Sequence, residues 1–149
     1  MKKSIHAIAG VIGFLLILSF WTSTVITELF ASQETVAITK ALILNGMFIL
    51  IPAMVIAGGS GMSMGKNRKD PWAVAKKKRM PIIALNGLLV LLPSAWFLAS
   101  QSAAGAYGST FYIVQGIELI AGAANLTMMG LNIRDGLTMT GKIRRKKNR

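Results

Sequence analysis

The chain has 149 residues, of which 53% are hydrophobic and only 15% are charged, and its formal net charge is +12. This length is typical of one domain, and so small a charged fraction is unusual for a soluble domain of this size, which favours an integral membrane protein. The chain contains no cysteine, which excludes disulfide bonds, cysteine-ligated iron–sulfur clusters and covalently attached c-type haem.

Four apolar runs follow one another along the chain, each long enough to form a membrane-spanning helix. They predict helices at about residues 5–27, 36–58, 80–100 and 109–132, within a single domain of residues 1–141. Each run approaches the roughly 20 residues that a helix needs to cross about 30 Å of hydrocarbon. The first run is longer than the core of a usual signal peptide, so we expect a retained helix. The glycine-rich stretch at residues 58–61 is expected to end the second helix.

Nearly all the basic residues lie on one side of the membrane that these four helices would span. All but Lys40 of the 17 basic residues lie before the first run, between the second and third runs, or after the fourth. Because loops rich in Lys and Arg stay in the cytoplasm, the sequence predicts an all-α, up-down-up-down four-helix bundle in the inner membrane, with both termini on the cytoplasmic side. Residues 142–149 are predicted to form a basic cytoplasmic tail. We attribute the charge to anionic lipid headgroups as partners rather than to nucleic acid.

Polar side chains follow one stripe on the first predicted helix and one on the fourth. Spacings of three and four residues place the members of each stripe on a single helix face. Because polar groups avoid lipid, both stripes are expected to face a shared interior. The stripes consist of His6, Gly10, Gly13, Ile17, Trp21, Thr24 and Glu28 in the first helix and of Gln115, Glu118, Gly122, Asn125, Met129 and Asn132 in the fourth.

A repeated motif relates the second helix to the third. Residues 44–53 (LNGMFILIPA) and 85–94 (LNGLLVLLPS) share an Asn-Gly pair that is followed by a proline at the same distance. The match resembles the inverted repeats of membrane transporters, although a shared kink-forming spacing would produce it as well. Asn45 and Asn86 are both predicted to be buried polar groups.

Glu118 lies several residues inside the fourth predicted helix, and no basic residue is predicted at its depth. We expect its carboxyl group to be protonated or to be hydrogen-bonded by Asn45 and Gln115. The residue is therefore either a proton or cation site or a neutral link between helices.

His6 is the only histidine and is predicted to lie about one turn inside the cytoplasmic boundary. Its imidazole could ligate a metal ion or a haem iron, with Met80 or Met129 as a second axial ligand and with Arg79 and Arg134 near the haem propionates. One histidine cannot form a bis-histidine site within the chain, so the alternative second ligand is His6 of a second copy. The other interpretation is an interfacial histidine bonded to a backbone carbonyl or a lipid phosphate.

Five short segments carry a resemblance to known proteins: residues 6–10 (HAIAG), 20–24 (FWTST), 79–81 (RMP), 114–118 (VQGIE) and 132–136 (NIRDG). Through them the chain resembles a group of small four-helix bacterial inner-membrane proteins, which implies the fold and the location but no mechanism. It is also loosely similar to membrane b-type cytochromes, and that likeness implies haem b and electron transfer.

Three functional hypotheses follow. The first is a haem-binding, b-type cytochrome-like redox protein with its site near the cytoplasmic face. The second is a small proton-coupled transporter that acts as an oligomer, with Glu118, Asn45 and Asn86 in its pathway. The third is a non-catalytic subunit of a larger membrane complex. The sequence contains no catalytic motif, so electron transfer is favoured over substrate chemistry, and the expected protein partners are a second copy or a larger complex.

Overall fold

The computed structural model describes residues 2–141, and within that range the chain is helical and has no strands. Helix α1 spans Lys2–Phe30 and α2 spans Gln33–Gly65. Helix α3 (Pro71–Asn86), a π-helical turn (Gly87–Leu91) and α4 (Leu92–Ala103) follow one another without a break, and α5 spans Ser109–Met139. The all-α prediction is confirmed. The predicted basic tail, residues 142–149, lies outside the described residues.

Four helices are long and apolar enough to cross a membrane: Lys3–Phe30, Gln33–Gly65, Pro71–Ala103 and Ser109–Met139. Many of their large apolar side chains point outward, for example Phe48 at 80% exposure and Ile120 at 75%. So much exposed apolar surface is unfavourable in water and is what a helix bundle presents to lipid. The protein is therefore a multi-pass membrane protein.

Polar side chains fix where α2 and α3 begin. The Ser32 hydroxyl accepts a hydrogen bond from the Thr35 amide at 3.3 Å, and the Asp70 carboxylate accepts one from the Ala73 amide at 3.0 Å. Such caps satisfy amides that have no partner within the helix, and Pro71 suits the first helical position because it has no N–H to lose.

The helices extend beyond the predicted spans. In particular, α2 continues through the glycines at residues 58–61 to Gly65, so the prediction that these glycines end the helix is wrong. Glycine is tolerated in membrane helices, where no water competes for the backbone hydrogen bonds. At Gly61 the missing side chain also leaves room for the side chains of His6 and Met80.

The core lies between α1, α2 and the α3–α4 helix, with α5 packed against α1, α3 and α4. One hydrophobic cluster contains the buried residues Ile17, Leu50, Ile83 and Met129, and a second contains Val36, Leu98 and Phe111. The polar stripes of α1 and α5 also turn inward, because Thr24, Gln115 and Asn125 are at most 4% exposed. The helix faces that carry chemistry therefore meet inside the bundle.

The π-helical turn interrupts the third membrane helix at the repeated motif. The Leu92 amide donates to the Gly87 carbonyl, which widens the backbone ring by one residue directly before Pro93. Proline has no N–H to donate, and a local π turn is one way in which a helix accommodates it. The equivalent Pro52 lies in regular α-helix, so the two copies of the motif differ in backbone structure.

Candidate functional site

A cavity of about 1360 Å³ lies between α1, α2, α3 and α5. Most small-molecule pockets have volumes of about 300–1,000 Å³, so this cavity is larger than usual. Its wall is mostly apolar and includes Phe20, Met47 and Met54, whereas His6 lines one end and Glu118 the other. The cavity therefore suits a large apolar ligand whose polar groups lie at an end.

His6 is held in one orientation by α2. Its Nδ1 lies 2.9 Å from the Ala57 carbonyl oxygen and 3.1 Å from the Ser60 hydroxyl oxygen. Because a carbonyl oxygen only accepts, we assign the proton of the neutral imidazole to Nδ1 and the free lone pair to Nε2. Nε2 makes no hydrogen bond to any residue in the range 2–141, and the ring lines the cavity. Nε2 is thus the nitrogen that remains for a ligand.

Met80, but not Met129, lies beside His6. A Cβ atom added to Gly61 would lie 2.9 Å from His6 Cε1 and would also collide with Met80 Cε, so both side chains converge on that glycine. Met129 instead lies near Gly13 and Met54, about 10 Å further along the axis of α1. The prediction of Met129 as an alternative axial ligand does not fit this placement, because the register of α5 carries it away from His6.

Arg79 and Arg134 are engaged with a buried carboxylate. Arg79 Nη1 donates to Asp135 Oδ2 and to Asn132 Oδ1 at 3.3 Å, and Arg134 Nη2 lies 3.3 Å from Asp135 Oδ1. Asp135 is 1% exposed, so it needs these partners to remain buried as an anion. The role of both arginines at haem propionates stays a prediction, because the single negative charge of Asp135 offsets only one of the two guanidinium charges.

Lys76 is one of the loop lysines that the sequence offers as partners of anionic groups, but the sequence did not single it out from the others. It lines the cavity, and its charge is close enough to act on the His6 imidazole. It precedes Met80 by four residues and therefore lies on the same face of α3, which is the signal that could have identified it.

A bare metal ion has no complete ligand set among the described residues. Within residues 2–141 no group of three or more His, Asp or Glu side chains is placed to hold one. Free transition-metal ions in proteins usually need at least three such donors. A haem iron differs, because the porphyrin supplies four nitrogens and the protein supplies one or two ligands.

The other end of the cavity carries a second polar group, which we call the Lys40 cluster: Thr24, Glu28, Lys40, Gln115 and Glu118. Lys40 Nζ lies 3.0 Å from Glu118 Oε2 and 3.5 Å from Thr24 Oγ1, and Gln115 Nε2 donates to Glu118 Oε2 at 2.9 Å. The expectation that no basic residue lies at the depth of Glu118 is wrong. Lys40 shares the inward face of α2 with Val36 and Ile43, a spacing of four and three residues that was visible in the sequence.

The two asparagines of the repeated motif have different surroundings. Asn86 donates to the Ala121 carbonyl and to Asn125 Oδ1, both at 2.9 Å, and Asn125 is 1% exposed. Asn45 is exposed, so the prediction that it is buried and bonded to Glu118 is wrong. It follows the buried Ile43 by two residues, which rotates it to the outer side of α2.

No protein-family model, curated protein or solved structure matches this chain. The features that bear on its function are therefore the cavity, His6 and Met80 at one end of it, and the Lys40 cluster at the other.

Proposed function

We propose that this protein is a small b-type haem-binding protein of the membrane that takes part in electron transfer, with His6 as an axial ligand. The observation that carries the proposal is the position of the imidazole. Its Nδ1–H is held by the Ala57 carbonyl, and its Nε2 is left without a hydrogen bond to any described residue in the wall of a large cavity. Histidines that bind metals commonly donate their other N–H to a backbone carbonyl, which fixes the tautomer and the ring orientation.

The surroundings of His6 agree with the chemistry of haem. The wall of the cavity is apolar, as the face of a porphyrin requires, and the Met80 side chain beside His6 offers a second axial ligand. When bound, haem would supply one-electron chemistry, and the axial ligands would tune its potential.

Basic residues at the His6 end provide partners for anionic groups. Lys3 and Lys76 both line the cavity, and neither donates a hydrogen bond to a described carboxylate. A lysine ammonium pairs with a carboxylate as a point charge, without the fixed geometry of a guanidinium. In this proposal Lys76 and Lys3 join Arg79 and Arg134 as the residues near the propionates.

The distribution of charge supports an orientation. The basic loop between α2 and α3 and the start of α1 lie at the His6 end, and loops rich in Lys and Arg remain in the cytoplasm. We therefore place both termini and the haem at the cytoplasmic side of a bacterial inner membrane, in an up-down-up-down arrangement. Anionic lipids are the proposed surface partners, and a homodimer or a larger complex is the proposed assembly.

Optical spectroscopy of the detergent-purified protein tests this proposal. After expression with a supply of haem precursor, the wild type should show a Soret band that shifts on reduction with dithionite. His6→Ala should lose the band, and Met80→Ala should keep haem but change its spectrum. Met129→Ala is the matched control and should behave like the wild type, because Met129 lies near Gly13 rather than beside His6.

Two outcomes would overturn the haem proposal. One is a wild-type protein that is folded by circular dichroism and gel filtration yet lacks any Soret band. The other is a His6→Ala variant that retains the wild-type spectrum, since haem bound without His6 would not use the imidazole as a ligand.

A proton-coupled carrier is the second candidate function, and the Lys40–Glu118 ion pair favours it. Ionisable groups inside membrane helices commonly mark ion or proton pathways. In proteoliposomes with a pH-sensitive dye, Glu118→Gln should abolish proton flux, while unchanged flux would eliminate the role of this carboxyl group. The third hypothesis, a non-catalytic subunit, would instead be favoured by one partner that co-purifies in a fixed ratio.

A further inference from the structure

The Lys40 cluster carries more negative than positive formal charge. Among the described residues it combines one ammonium group, on Lys40, with two carboxyl groups, on Glu28 and Glu118. Glu28 lies near enough to both for their charges to act on it. With all three groups ionised, the cluster would hold one uncompensated negative charge within the span of the membrane helices. Such a charge is costly in a medium of low dielectric constant.

Two acceptor atoms in the same cluster lack donors. Glu28 Oε1 and Gln115 Oε1 are buried and have no hydrogen-bond partner among the described residues. Gln115 is only 4% exposed, and its amide nitrogen is already committed to Glu118. A buried acceptor without a donor is unfavourable, so the cluster lacks at least one donor.

The neighbouring groups do not supply that donor. Tyr107 lies near Glu28, but its hydroxyl donates to the Gln33 carbonyl at 2.7 Å. The Lys40 ammonium is directed to Glu118 and Thr24. The charged or titratable groups that face Glu28 are therefore Lys40 from α2, Glu118 from α5 and Tyr107 from the loop before α5.

We infer that the Lys40 cluster is a proton-binding site, in which Glu28 takes up one proton while Lys40 and Glu118 remain an ion pair. The proton adds to a carboxylate oxygen of Glu28, no other bond breaks, and Glu28 changes from an anion to a neutral acid. This single event cancels the excess charge and removes the need to keep an ionised Glu28 carboxylate whose buried Oε1 has no donor among the described residues. The proton site involves neither haem nor His6, so failure of the haem proposal would leave it unaffected.

Infrared spectroscopy with labelled glutamate tests the inference. Glu28, Glu34 and Glu118 are the glutamates of the chain, so ¹³C-glutamate labels few groups. In potassium buffer at neutral pH, the wild type should show a labelled carboxylic-acid C=O band that shifts in D₂O. Glu28→Gln should lose this band. Glu34→Gln is the matched control and should keep it, because Glu34 is exposed at the start of α2 and lies outside the Lys40 cluster.

Three results would overturn the inference. The first is a wild type without a protonated glutamate band at neutral pH. The second is a band that survives in Glu28→Gln but is lost in Glu118→Gln, which would move the proton to Glu118. The third is a band that disappears when sodium replaces potassium, which would assign the site to a metal cation. Should Glu28→Gln fail to fold, Glu28→Asp keeps a carboxyl group at this position but removes the glutamate label from it, so loss of the labelled band in Glu28→Asp supports the inference and its survival overturns it.

Discussion

Lys40 and Glu118, which are 78 residues apart in the sequence, form a 3.0 Å ion pair that joins α2 to α5. The Lys40 side chain is 1% exposed and that of Glu118 is 13% exposed, so little solvent screens the pair. Removal of one partner from a buried ion pair leaves an uncompensated charge, whereas removal of both does not.

A double-mutant cycle on this pair should therefore be strongly non-additive. We expect Lys40→Met and Glu118→Gln each to lower the free energy of unfolding by about 3–5 kcal/mol, and the double variant to recover much of that loss. Thermal unfolding in detergent measures the differences. Lys78→Met, at an exposed position, is the control and should leave stability nearly unchanged. Additive losses in the double variant would contradict a direct coupling.

The repeated Asn-Gly motif supplies a matched pair of substitutions. Asn86→Leu should lower the free energy of unfolding by about 1 kcal/mol, because it removes hydrogen bonds to the Ala121 carbonyl and to Asn125. Asn45→Leu makes the same chemical change on the outer face of α2 and should be neutral or stabilising in detergent. Equal effects at both positions would show that the interhelical bonds of Asn86 contribute nothing.

Gly61 is the position where α2 allows His6 and Met80 to approach. A Cβ atom there would collide with both side chains, whereas nothing lies within 4 Å of a Cβ atom added to Gly58. We expect Gly61→Ala to lower the free energy of unfolding by about 1–3 kcal/mol, as overpacking does, and Gly58→Ala to be tolerated. Thermal unfolding of the two variants provides the comparison.

The same pair of variants also bears on haem binding. If haem binds at His6, Gly61→Ala should reduce the Soret absorbance per protein and Gly58→Ala should not. A Gly61→Ala variant with wild-type stability and wild-type absorbance would show that His6 and Met80 do not depend on this gap.

Asp135 should matter more to stability than either of its arginine partners. It is 1% exposed and receives charge-assisted hydrogen bonds from both, whereas Arg79 is 23% and Arg134 is 57% exposed. Arg134→Ala should cost less than about 1 kcal/mol because its pair is largely solvated. Asp135→Ala should cost about 3 kcal/mol, since it leaves Arg79 partly buried without its counter-ion. Chemical denaturation in detergent gives the order, and a larger effect at Arg134 would contradict it.

The four apolar helices could be predicted from the sequence, because hydropathy over about 20 residues is a local property that is sufficient for a helix to partition into lipid. The inward-facing stripes of α1 and α5 could also be predicted, since polar residues spaced three and four apart define one helix face before the neighbouring helices are known. His6 could be singled out in the same way, as the only histidine on such a stripe.

Which of these groups come into contact could not be predicted from the sequence and depends on how the helices pack. Lys40 reaches Glu118, Met80 rather than Met129 lies beside His6, and Asn86 is bonded while the matching Asn45 is exposed. Each outcome depends on how far one helix is rotated and shifted along its axis relative to another. That register is set by the packing of side chains from several helices at once, which the periodicity of a single segment does not contain.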